Sequence, residues 1–193
     1  MSFPDASPRH PPGLAALRWV CDGIIRGENT MLDKYKFAFA NLNVNRSSAW
    51  WDAKTCYAAP HKPLMLFSVM DLMAQKILKD NLVQLNKYLT ETFHRYWRNT
   101  TSVKKKTNVT LPFYHLRSDN FWHLIATPGN ERALRIPIHS IGNMREFVLG
   151  ASLDQDLFEL MSHPQPRHEL RMVLLETYFN PKIHEQIICL MKK

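Results

Sequence analysis

Glycine is scarce in this chain, with six residues in 193. None of them builds the glycine-rich turn that cradles a nucleotide phosphate, and no G-x-S-x-G elbow presents a serine nucleophile. Cysteine is scarcer: Cys21, Cys56 and Cys189 are far apart and odd in number, which argues against both a disulfide framework and a zinc ribbon. A reduced, cytoplasmic protein is expected, in which the sequons at Asn45, Asn99 and Asn108 carry no glycan. No apolar run reaches the eighteen or so residues of a membrane span. The first residues, MSFPDASPRHPPG, lack a basic leader and an apolar stretch, so no signal peptide is expected. The nine histidines include no H-E-x-x-H pair and no paired-cysteine spacing. Carboxylates are few beside the basic stretch, so a two-metal nuclease centre is hard to assemble. No catalytic site, metal or cofactor is read from the sequence.

What the chain has is positive charge, +8 overall, unevenly placed. Between Leu82 and Lys106 six cations (Lys87, Arg95, Arg98, Lys104, Lys105 and Lys106) face one anion, Glu91. Asp154, Asp156 and Glu159 make the later chain locally acidic. A one-sided basic surface is the footprint of a polyanion partner, or else a merely solvated face.

Residues 1–30 read as a poorly structured N-terminal extension, with four prolines in the first twelve positions; a docked helix from Leu14 to Ile25 is the alternative. Residues 31–193 form the folded domain. A helix is expected from Pro63 to about Lys79, buried all round because Leu64, Met65, Phe67, Val69, Met70, Leu72, Met73 and Ile77 leave little polar face. Asn81–Leu85 reads as an extended link and Asn86 as the N-cap of a helix through Arg98, with Leu89, Phe93, Tyr96 and Trp97 on its inner face. Thr110–Ala126 reads as a β-hairpin turning at Ser118, Asp119 and Asn120. Its register, with Asn120 left-handed, pairs Leu116 with Trp122 and puts His115, Arg117, Phe121 and His123 on one face. After Pro128-Gly129 the chain turns helical: Asn143 with Glu146 and Ser152 with Gln155 fit capping boxes. A helix from Arg167 to about Phe179 follows, and Asn180-Pro181 opens a last one. The fold class is α+β, mainly helical, with a winged helix-turn-helix-like core, a β-hairpin and extra C-terminal helices.

Three clusters are candidates for function, each with a bland counterpart. Pro60-His61-Lys62-Pro63 sets two cationic donors at a helix N-terminus, where unpaired N–H groups favour phosphate; the counterpart is a solvated turn. The hairpin face of His115, Arg117, Phe121 and His123 suits groove or backbone contact, with Arg117 forking onto a guanine edge or a phosphate; the counterpart is a packed hairpin. Thr177-Tyr178-Phe179-Asn180-Pro181-Lys182-Ile183-His184 is either an apolar niche opening on a basic surface of Lys182 and His184 or an aromatic plug between two helices.

The stretches APHKPLMLFSVMDL, YLTETFHRYW, LPFYHLRSDNFWHL and LRMVLLETYF together resemble the sulfur-binding domain of modification-dependent (type IV) HNH restriction endonucleases, over roughly Tyr35 to Ile187. The resemblance implies a partner, double-stranded DNA whose backbone carries a phosphorothioate, and a role in bacterial restriction. It carries His61, Lys62 and Pro63 onto the family's H-x-P turn, and Tyr114, His115, Arg117, Ser118 and Asp119 onto its hairpin. It carries Tyr178, Phe179 and Pro181 onto its aromatic-proline helix end, where Asn180 disturbs the register. Asn120 stands where glycine is commoner. No H-N-H metal finger appears through Lys193, so the expectation is binding without cleavage, by either an isolated binding domain or a short reader that recruits a separate nuclease. Rival readings are a winged-helix binder of unmodified DNA, a protein-interaction module, and a nuclease with an unrecognised site.

Overall fold

A computed structural model gives the structure of the chain and describes residues 30–47, 49, 51–102, 107–135, 144 and 146–191. The expectations for the N-terminal extension, for Lys104, Lys105 and Lys106, and for the capping box at Asn143 lie outside the described residues. Seven helices and two strands are seen among those that are described: α1 Thr30–Ala40, α2 His61–Ala74, α3 Lys87–Thr100, α4 Thr110–His115, β1 Trp122–Ala126, β2 Val148–Leu153, α5 Gln155–Ser162, α6 Pro164–Tyr178 and α7 His184–Leu190. The fold is therefore α+β and mainly helical. None of these helices is long and apolar enough to cross a membrane.

Helix α2 is the axis of the core. Every residue from Lys62 to Met73 is buried, and α3, α4, α5 and α6 pack around it. A helix so enclosed follows from a sequence with no polar stripe. The Asn86 side chain accepts from Leu89 N at 3.1 Å and starts α3. That helix buries Leu89, Phe93, Tyr96 and Trp97, as its spacing predicts. Helix α6 begins three residues earlier than expected, because Pro164 and Pro166 both fit its first turn, where N–H groups lack partners anyway. The Asn180 side chain accepts from Lys182 N at 3.0 Å, and a short 3-10 turn from Pro181 leads into α7.

The antiparallel strand pair is present and β1 is the second arm of the expected hairpin, but the first arm is not a strand. Thr110–His115 is helical and continues into a 3-10 turn, Leu116–Asp119. Apolar residues at 113, 114 and 116 fit a helical spacing as well as an alternating one, and Asn108 decides between them: its side chain accepts from Thr110 N at 3.0 Å and opens the turn. Asn120 is left-handed as expected, φ 60. The partner of β1 is β2, which pairs Trp122 with Leu153 and Leu124 with Ala151. The Ser152–Gln155 capping box is thus corrected: Ser152 lies in β2, and α5 follows Asp154, whose carboxylate is engaged by Tyr35 (2.9 Å) and His123 (2.7 Å). The link before α3 joins the sheet edge. Val83 bridges to Ala151, and both amide groups of Asn81 pair with the Leu153 backbone at 2.8 Å. Gly150 permits this crossing, since a Cβ there would stand 2.7 Å from Val83 O.

Candidate functional site

The first turn of α2 lies between two other segments. Pro60 precedes the helix and no side chain caps it, so the turn presents the partial positive charge of a helix N-terminus. Lys62 projects from this turn toward the segment after α4. Its ammonium donates to Asp119 Oδ2 at 2.6 Å and to Ser118 Oγ at 2.9 Å. Asp119 also accepts from Asn43 N at 2.7 Å. One carboxylate therefore ties together the α2 turn, the 3-10 turn after α4 and the loop after α1. Lys62 is 6% exposed. Burial lowers its pKa below the ordinary lysine value, against the pull of Asp119.

These three segments enclose a cleft of about 410 Å³. Val44, Ala59, Leu111 and Pro112 give it apolar lining, and His61, Lys62, His115, Ser118, Asn43 and Asn45 give it polar lining. The ring of His61 lies 4.6 Å from that of Trp97, and burial pushes its pKa down to about 4. His115, one turn after Leu111 on α4, is exposed; partial burial and the charges of Lys62 and Arg117 lower its pKa. Arg117 is exposed and lies over the Tyr114 ring, 4.0 Å from its centroid. Its guanidinium also donates to Leu134 O at 3.3 Å. The imidazoles are thus held neutral near pH 7, so the cleft offers them as hydrogen-bonding groups and adds little net charge beyond the Lys62–Asp119 pair.

The structure brings His61, Lys62, His115 and Ser118 together in the cleft, with Asp119 bracing it and Pro63 buried in the turn behind. The expected hairpin face is not assembled: Phe121 is buried against Phe39, ring centroids 5.3 Å apart, and His123 turns to Asp154. Tyr178, Phe179 and Pro181 do not line the cleft. Phe179 is fully buried against Phe67, centroids 5.8 Å apart. The Tyr178 hydroxyl accepts from Leu42 N at 2.8 Å, and burial raises its pKa. Pro181 is exposed at the start of its 3-10 turn. The basic stretch is also smaller than its sequence suggests, because Arg95 donates to the buried Asp71 at 2.7 Å.

Sequence reasoning misses Asn43, Val44, Asn45, Leu111 and Pro112 as cleft residues. The run N-L-N-V-N-R has no period to place it, and Leu111-Pro112 reads as strand when α4 is taken for one. The signal that bears on them is that PHKP and LPFYHLRS stand in the order of the family the chain resembles. Among the described residues no group of three or more His, Cys, Asp or Glu side chains is placed to hold a metal ion. The family model for the ScoMcrA-like DNA sulfur-binding domain matches residues 38–191. No curated protein matches the chain.

Proposed function

The chain belongs to the ScoMcrA-like DNA sulfur-binding domain family, and from that premise we propose that it binds double-stranded DNA carrying a backbone phosphorothioate and holds the P–S edge in the cleft at the α2 N-terminus. The family is a DNA-binding module, and no chemical step is assigned to these residues. The observation that carries the reading is the mixed lining of the cleft, in which Val44, Ala59, Leu111 and Pro112 supply apolar surface among the polar groups of His61, Lys62, His115 and Ser118.

Sulfur is larger, more polarisable and a poorer hydrogen-bond acceptor than oxygen. An apolar wall that desolvates a P–O edge leaves a strong acceptor unsatisfied, while a P–S edge loses less there. The remaining phosphate oxygen faces the donors of His61 and His115, while the Ser118 hydroxyl, which donates to His115 O at 2.9 Å, braces Lys62. Because Asp119 balances Lys62, the cleft does not attract every phosphate indiscriminately, and the apolar contact carries more of the difference between the two links. Tyr178 and Asp119 position the loop that bears Val44, and Arg117, held over Tyr114, reaches a base edge or a neighbouring phosphate. Phe179 acts through the core behind them.

Element order supports a winged-helix comparison within this proposal. The sequence runs helix α2, a bridging link, α3, α4, then an antiparallel pair whose second strand bonds to that link. In that arrangement α4 is the helix offered to the groove, and its exposed Leu111 and His115 share one face and line the cleft. A role in type IV restriction, with a nuclease supplied elsewhere, belongs to the same proposal.

The test is a paired titration of two duplexes of one sequence, one with a single phosphorothioate of defined stereochemistry. The expected result is a preference for sulfur of about tenfold, or about 1.4 kcal/mol. Leu111→Ser should erase most of that preference while leaving the oxygen duplex bound about as before. Equal binding of both duplexes by the wild-type protein would replace this reading with that of a binder of unmodified DNA.

A further inference from the structure

The loop that delivers α2 carries a feature the cleft does not use. Trp51 and Tyr57 meet edge to face, ring centroids 4.8 Å apart and planes at 79°. Tyr57 is 62% exposed. Its backbone is left-handed, φ 58, as is that of Cys56 before it, φ 46. Consecutive non-glycine residues in this region are disfavoured, because each Cβ crowds the following carbonyl. The surroundings enforce the conformation. The Asp52 carboxylate accepts from Lys54 N at 2.8 Å, Thr55 Oγ1 accepts from Asp52 N at 3.1 Å, and Ala58 N donates to Thr55 O at 3.0 Å. Strain that neighbouring bonds over-determine is a mark of ligand contacts, and here it turns an aromatic ring outward.

The pair is fastened to the rim of the cleft from both sides. The Trp51 indole N–H donates to Arg46 O at 2.9 Å, and Ala59 N donates to Asn45 O at 2.9 Å. Asn45 and Ala59 line the cleft; Arg46, next to Asn45, is exposed. An aromatic shelf thus continues the rim, next to the exposed Arg46.

We infer that Trp51 and Tyr57 pack against the deoxyribose next to the phosphate held in the cleft, with Tyr57 as the contacting ring and Trp51 as its support. This placement rests on the DNA reading above. The occupant follows from duplex chemistry. Beside a backbone phosphate, the apolar surface that a stacked duplex offers is the C–H face of the sugar; a base reaches the shelf only if it is extruded, at the cost of unstacking. Arg46 meets the following phosphate. The shelf touches sugar, so it adds affinity to sulfur and oxygen duplexes alike and leaves the preference to the cleft.

Tyr57→Gly removes the ring and at the same time suits the left-handed backbone, so loss of folding does not confuse the result. The expected outcome is an unchanged or raised melting temperature with about fivefold weaker binding of both duplexes, the sulfur-to-oxygen ratio being unchanged. Tyr57→Phe keeps the ring and should bind as the wild type does. Binding by Tyr57→Gly within about twofold of wild type, or an equal loss in Tyr57→Phe, overturns the shelf. A rise in fluorescence from 2-aminopurine placed beside the modified link would mean base extrusion and overturns the sugar contact. If the wild-type protein shows no preference for sulfur, the cleft reading fails; the oxygen duplex, measured at low salt, still tests the shelf separately.

Discussion

Lys62 shows how the same side chain reads differently in sequence and in structure. In P-H-K-P it is a cation at a helix mouth; in the fold it is an ammonium shared between Asp119 and Ser118, with almost no exposure. Removing one member of a buried pair leaves the other charge uncompensated. Asp119→Asn is therefore expected to cost about 3 kcal/mol in a urea unfolding titration, and to weaken the sulfur preference by loosening the Asn43 loop. Asp119→Glu, which keeps the charge, should recover part of both. His61 adds a pH dependence whose sign is fixed by burial. The folded protein keeps it neutral down to about 4, against 6.5 for an ordinary histidine. Between those values the unfolded chain binds more protons, so stability from this group is fully present above about 6.5 and is lost as pH falls through about 4. The contribution is on the order of 3 kcal/mol. Urea titrations from pH 7 to pH 4 should show that loss, and His61→Phe should flatten the slope.

At the scale of elements, α2, α3, α6 and α7 were legible, whereas α1 drew no helix expectation, α4 was taken for a strand and β2 was missed. Helix α2 announces itself by a run without a polar face, α3 by Asn86 and its inner stripe, α6 by the prolines of its first turn, and α7 by the Asn180-Pro181 turn that leads into it; each signal is local. The hairpin expectation failed because Thr110–Leu116 fits two periods, and the choice depends on Asn108, which lies just before the stretch that was read. Strand β2 was missed for another reason. V-L-G-A-S-L is short, holds a glycine and stands next to a plausible capping box, whereas what makes it a strand is remote: β1 on one side and the Asn81–Val83 link on the other. The same gap hid half of the cleft, because Val44, Leu111 and Pro112 gain their role only when three segments meet. The crossing at Gly150 is open to test. Gly150→Ala drives a methyl against Val83 O and Leu82 Cδ1, at 2.7 and 2.8 Å; backbone cannot yield as a side chain can. A loss of about 1–3 kcal/mol is expected. Hydrogen exchange should quicken at Val83 and Ala151, whose amides hold the bridge.

Over the whole molecule, the question is how many of the positive charges are available to DNA. Asp71, fully buried, draws Arg171 at 2.6 Å and Arg95 at 2.7 Å and accepts from the Tyr96 hydroxyl at 3.0 Å. It thereby joins α2, α3 and α6 behind the cleft. Lys36 is held by Glu169 at 2.6 Å, and Lys62 by Asp119. A net charge of +8 thus overstates the charge free to displace counterions, and exposed residues such as Arg46, Arg98 and Arg117 are the ones open to that role under the proposed function. Counterion release depends on the number of phosphates neutralised and not on whether one oxygen is sulfur. The sulfur preference proposed above, in contrast, depends on apolar lining meeting the P–S edge. The two contributions should therefore separate. Plots of log affinity against log salt, from about 50 to about 200 mM, are expected to be parallel for sulfur and oxygen duplexes. Arg46→Ala should make both lines shallower by about 0.9 without closing the gap between them. Leu111→Ser should do the reverse, closing the gap and leaving the slopes alone. Lines that converge as salt rises would mean that charge, and not the apolar wall, distinguishes the two links.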